Sequence, residues 1–158
     1  MRARRVLPAG SWDAATAVDT VSLDYDSRHR RRIVLTTVRG RDLLLDLPRA
    51  VALRDGDGLA LDEGGAVRVA ARPERLAEIH AHDDGELARI AWHLGNRHLP
   101  VQFVGDRLRI RVDHVIEEMV AILGGHLEHV EAAFDPESGA YAGGQSHHHL
   151  GHDHPHDD

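Results

Sequence analysis

The chemistry this chain offers is mostly that of histidine: 14 of its 158 residues are His, and six of them crowd the last dozen positions. The segment His147 to Asp158 reads HHHLGHDHPHDD, with His147, His148, His149, His152, His154 and His156 interleaved with Asp153, Asp157 and Asp158 and no basic residue. Neutral imidazole nitrogens are ligands for nickel, copper, zinc and iron. A string of them can wrap an ion in several ways, because no packed core dictates which nitrogens are used. Leu150 and Pro155 are its only sizeable apolar residues, so burial cannot offset the entropy of ordering it, and a disordered tail is expected. A purification tag is the plain alternative, but tags are normally uninterrupted runs, whereas this segment is irregular and laced with aspartates. The composition reads as a metal-binding arm.

The other histidines are spread through patterned sequence. His98 lies in the loop Gly95-Asn96-Arg97-His98-Leu99-Pro100, where Gly95 and Asn96 tolerate left-handed backbone and Pro100 stiffens the exit. His93 falls at a helix end, where the macrodipole favours a cation. His114 falls at a helix start, which favours the neutral ring a metal requires. His80 and His82 share a strand face by period two, as a pair or as edge decoration. His126 and His129 fall on opposite faces of one strand. Cysteine is absent, so any metal site uses nitrogen and oxygen ligands and weakens as imidazoles protonate near ~6.5. No HExxH occurs, and the neighbours His82-Asp83 and Asp113-His114 lack an obvious third ligand, which argues against a metal-dependent hydrolase.

The elements that must position these side chains divide into two halves. From Ala15 to Ala71 short alternating segments are separated by turn signals such as Asp55-Gly56-Asp57-Gly58 and Gly64-Gly65, which predicts a small β-barrel or sandwich. Arg28-His29-Arg30-Arg31-Arg32 reads there as a solvated hairpin end. Arg72-Pro73 marks a boundary. Beyond it, strand Glu74–Ala81 precedes a helix over 85–94 with Leu87, Ile90, Ala91 and Leu94 at helical spacing, capped by Asp83-Asp84 and stopped by Gly95-Asn96. Strands over 101–104 and 108–112 flank Gly105-Asp106. Asp113 caps a second helix bearing Ile116, Met119, Val120 and Leu123, and 126–134 returns as a strand. The order βαββαβ predicts a ferredoxin-like sandwich, so the fold class is α+β. With aromatics at 4%, the core must be aliphatic. Residues 1–72 hold 13 arginines against 10 acids, and residues 73–158 hold 6 against 16, an acidic half suited to cations and not to nucleic acid. No membrane span or signal peptide is visible, so a cytoplasmic location is expected.

The segments HLGNRHLPVQ (93–102), DHV (113–115) and FDPESGAYAGG (134–144), followed by a His-rich terminus, resemble the UreE family of urease accessory proteins over essentially the full chain. That resemblance implies a nickel metallochaperone, not an enzyme, with Zn2+ and Cu2+ as competitors for the Ni2+ site. It implies a peptide-binding-like β domain (1–72), a ferredoxin-like metal-binding domain (73–135) and a flexible Gly/His-rich tail (136–158). The family's GNRH histidine binds nickel at a homodimer interface, which transfers to His98. Where some members carry HDH, this chain has Val112-Asp113-His114, so His114 remains as an auxiliary ligand without its partner. The implied partners are the accessory GTPase UreG and the urease apoprotein complex. The alternative is a nickel or zinc store not tied to urease.

Overall fold

Val, Leu and Ala alternating with polar residues build the first of two sheets. The computed structural model describes residues 1–137. Strands β1 (Arg2–Leu7), β2 (Asp19–Leu23), β3 (Arg32–Thr36), β4 (Asp42–Asp46), β5 (Gly58–Leu61) and β6 (Ala66–Ala71) lie in the order β2-β6-β5-β1-β4-β3. The pairs β1/β4 and β2/β6 are parallel and the rest antiparallel. Beyond β3, Val38 donates its N–H to the Thr20 carbonyl on β2 at 2.8 Å, which links the sheet's two edges into a barrel-like shape. The interior is aliphatic: Val21, Leu23, Leu35, Leu43, Leu45, Leu59, Val67 and Val69 are buried. Each such side chain contributes about 1.5–3 kcal/mol of burial free energy.

Two local expectations change. The alternation from Ala15 begins with a 3-10 turn, Ala14–Thr16, because the Asp13 carboxylate accepts the Ala15 N–H and caps it. The basic cluster is solvated at His29, Arg30, Arg31 and Arg32 as expected, but not at Arg28. Residues Asp26–His29 form a 3-10 turn that sends Arg28 inward, to 1% exposure, while Arg30, Arg31 and Arg32 stay in solvent. The Arg28 guanidinium donates to the Phe134 carbonyl, to the Leu53 carbonyl at 3.4 Å and to the Asp24 carbonyl at 3.3 Å, with Glu74 4.0 Å away. A planar fork of donors suits several backbone acceptors at once, which is why a buried arginine is tolerated.

The second sheet takes β7 (Pro73–His80), β8 (Gln102–Val104), β9 (Arg107–Arg111) and β10 (His126–Ala133) in the order β10-β7-β9-β8, all antiparallel. With helices α1 (Asp84–Asn96) and α2 (His114–Ile122) this is the ferredoxin-like βαββαβ arrangement. Both helices cover one face, packing Ile90, Leu94, Ile116 and Val120 onto Ala77, Ile79, Leu108 and Ile110. The opposite face carries Glu78, whose carboxylate accepts from Arg107 at 2.8 Å and Arg109 at 2.9 Å. The two sheets meet where the Tyr25 ring lies 5.2 Å from Phe134, the Tyr25 amide donates to Glu74, and Arg111 pairs with Asp26. Among the described residues no helix is long and apolar enough to cross a membrane.

Candidate metal centre

The position of His98 follows from how α1 stops. Gly95 and Asn96, the residues the sequence offers as the stop, are both still helical. The chain closes one step later. The His98 N–H donates to the Gly95 carbonyl at 3.0 Å, and the Leu99 N–H reaches back to the Leu94 carbonyl at 3.3 Å. Those two bonds define a Schellman cap with His98 at its left-handed position. His98 has φ 58, and among the described residues no other non-glycine has positive φ. Glycine is the default there, since a Cβ costs roughly 1–2 kcal/mol in that conformation. Leu99, packed against the core that contains Leu94, anchors the motif. The His98 imidazole is exposed and makes no hydrogen bond or ion pair among the described residues.

His114 is the first residue of α2 and is also exposed. The Asp113 carboxylate before it accepts from Val115 at 3.0 Å and Ile116 at 3.3 Å, holding the helix start. Leu99 and Pro100 beside His98, and Val112 and Asp113 beside His114, line one cleft of about 250 Å³. The two loops therefore border one depression. Among the described residues no group of three potential ligands includes either histidine, so a single chain supplies few ligands there. His93, in the last turn of α1, packs edge-on against Trp92 with ring centroids 5.0 Å apart. The six tail histidines, and the segment beyond Glu137, lie outside the described residues.

The remaining histidines sort differently from their sequence spacing. β7 ends at His80, so His82 leaves the strand and the two do not share one face. His80 Nε2 lies 3.2 Å from Glu78 Oε1 and 3.8 Å from Glu128 Oε2, with no well-aligned hydrogen bond. Burial works to raise the Glu78 carboxyl, but Arg109 and Arg107 hold it below its ordinary range. A carboxylate already serving two guanidiniums is a poor ligand for a further cation, so Glu78 is committed to its ion pairs with Arg107 and Arg109. His129 sits between Arg75, at 3.0 Å from Nδ1, and Glu117 on Nε2. His82 and His126 instead face one another, Nε2 to Nε2, at 3.1 Å, and His82 Nδ1 contacts Glu86 Oε1 at 3.0 Å. The signal for this pair lay in topology: in βαββαβ order the last strand runs antiparallel to the first, which sets the start of β10 beside the end of β7.

Comparison with known proteins accounts for both halves. Residues 2–72 match the N-terminal domain of the UreE urease accessory protein and residues 74–158 its C-terminal domain. A urease accessory protein UreE from Beijerinckia indica subsp. indica is 56% identical over 149 residues, covering 94% of this chain and 86% of that relative. One from a Bradyrhizobium species is 55% identical over 142 residues, covering 90% and 67%. One from Rhodobacter capsulatus is 44% identical over 153 residues, covering 97% and 92%. With identity at this level along both halves, the chain belongs to the UreE family of urease accessory proteins.

Proposed function

We propose that this chain is a cytoplasmic nickel metallochaperone, not an enzyme, that carries Ni2+ for assembly of the urease active site. The observation that carries the reading is His98: an exposed imidazole, free of hydrogen bonds among the described residues, held in a helix cap where glycine would be less strained. Backbone strain kept at a polar surface residue marks a position selected for something other than stability. One such imidazole per chain is too few to hold an ion. A two-fold axis would bring a second His98 beside it and complete the site, with His114 as an auxiliary ligand across the same cleft. Exposed apolar residues on the helical layer favour such a homodimer: Trp92 is 64%, Val115 54% and Ile122 84% exposed. A site shared between subunits opens when they part, which suits release of the cargo. Zn2+ and Cu2+ compete for the same nitrogens.

Three working units divide the labour in this reading. Residues 1–72 dock on partners, namely UreG and the urease apoprotein complex; residues 73–135 hold the shared ion; residues 136–158 recruit and buffer further ions through His147, His148, His149, His152, His154 and His156. Nickel titration with mass measured in solution tests it. Deleting residues 146–158 lowers the stoichiometry but leaves one tight ion per dimer, and His98→Ala on that background weakens it at least tenfold. A chain that stays monomeric at every nickel concentration overturns the proposal. A storage role shares the tail but has no use for the His98 cap; equal urease activation by parent and His98→Ala would favour it.

A further inference from the structure

We propose that His82 and His126 form a second, independent binding site for a divalent transition-metal ion, at the opposite end of α1 from His98. Two imidazole nitrogens bound to one ion at about 2.0–2.1 Å stand roughly 2.9–3.4 Å apart, across octahedral and tetrahedral geometries. The His82 and His126 Nε2 atoms are 3.1 Å apart, inside that range, with ring planes inclined at 67°. Glu86 supplies the outer shell. Its Oε1 lies 3.0 Å and its Oε2 3.3 Å from His82 Nδ1. A neutral His82 that donates from Nδ1 to this carboxylate presents the Nε2 lone pair toward His126. This carboxylate–imidazole arrangement orients metal-binding histidines and raises their basicity. Glu86 is itself held in place, since it also accepts the His82 amide at 3.1 Å; that bond and the ring contact keep its carboxyl below the ordinary range.

The two elements that deliver the pair are fixed by the fold. His126 opens β10 directly opposite His80, the last residue of β7, and His82 follows two residues later. Both rings are exposed, so an ion and its completing waters can reach them. The positive end of the α1 dipole opposes a cation here. Three carboxylates on that first turn, Asp83, Asp84 and Glu86, act the other way. The simpler account of the 3.1 Å contact is a proton shared between neutral rings; it predicts no response to metal. The site does not depend on the role of His98: α1 has 13 residues and separates the two by about 20 Å.

Carbethoxylation of individual histidines, mapped by peptide mass spectrometry on the full-length protein with and without NiCl2 or ZnCl2, reads this site without interference from the tail. Saturating metal is expected to slow modification of His82 and His126 together by tenfold or more and to leave His29 unchanged. His82→Gln removes the protection at His126, and His126→Gln removes it at His82. Glu86→Gln weakens protection at both. His98→Ala leaves it intact, which separates this site from the dimer site and from any occlusion on dimerisation. Unchanged rates in the parent, or full protection of one histidine when its partner is substituted, overturn the proposal.

Discussion

His98 sits where a helix would choose glycine. The left-handed cap position suits glycine and tolerates L residues other than asparagine poorly, with a strain of about 1–2 kcal/mol. His98→Gly is therefore expected to raise unfolding free energy by about 1 kcal/mol in urea titration while abolishing the nickel binding proposed for that imidazole. A variant that lost stability would show instead that the ring makes favourable contacts in the apoprotein. The GNRH spacing alone makes this residue conspicuous, yet by residue type Gly95 and Asn96 are the better candidates for left-handed backbone. Which residue takes the cap is decided by where Leu99 can bury itself beside Leu94, and that depends on the packed core.

Among the elements, the weakest signal belonged to β1. Its sequence, Arg2–Leu7, buries only Ala3 fully, and the pairing with β5 shifts between Ala3 and Arg5, so no clean alternation exists to read. It nonetheless lies inside the sheet, between β5 and β4. The barrel's edges are joined by a different device. Burial would raise the Asp19 carboxyl on β2, but the Thr37 hydroxyl, the Thr20 amide and the Arg41 guanidinium bring it from 3.8 down to about 2. Asp19 thus ties β2 to the β3–β4 turn. A depressed folded pKa stabilises the protein above pH about 4, and that contribution disappears as pH falls toward about 2. Asp19→Asn is expected to be less stable than the parent at neutral pH, with the gap in denaturation midpoint closing between pH about 4 and about 2. A gap that stays constant with pH would show that the carboxylate's charge contributes nothing.

At the scale of the whole molecule, Arg28 joins the two sheets. Its donors reach the Leu53 carbonyl in the first half and the Phe134 carbonyl just beyond β10, and Arg54 adds a bond to Asp135 at 2.6 Å. Removing the buried guanidinium leaves acceptors unsatisfied in a dry place, at a cost of about 3 kcal/mol. Arg28→Ala should lower the urea midpoint accordingly and separate the unfolding of the two halves, with Trp12 reporting the first and Trp92 the second. Coincident transitions at an unchanged midpoint would show that the halves hold together without it.

Local and periodic features were legible in the chain alone: the aliphatic core, both helices with their aspartate caps, the βαββαβ order, and His98 in a distinctive loop. Those follow from neighbours within a few residues, where spacing and side-chain chemistry act directly. Three others exist only in the folded protein: Arg28 turns inward, His80 and His82 part company, and His82 meets His126. Each depends on contacts between residues tens of positions apart, and burial or ring-to-ring distance across a sheet has no counterpart in linear spacing.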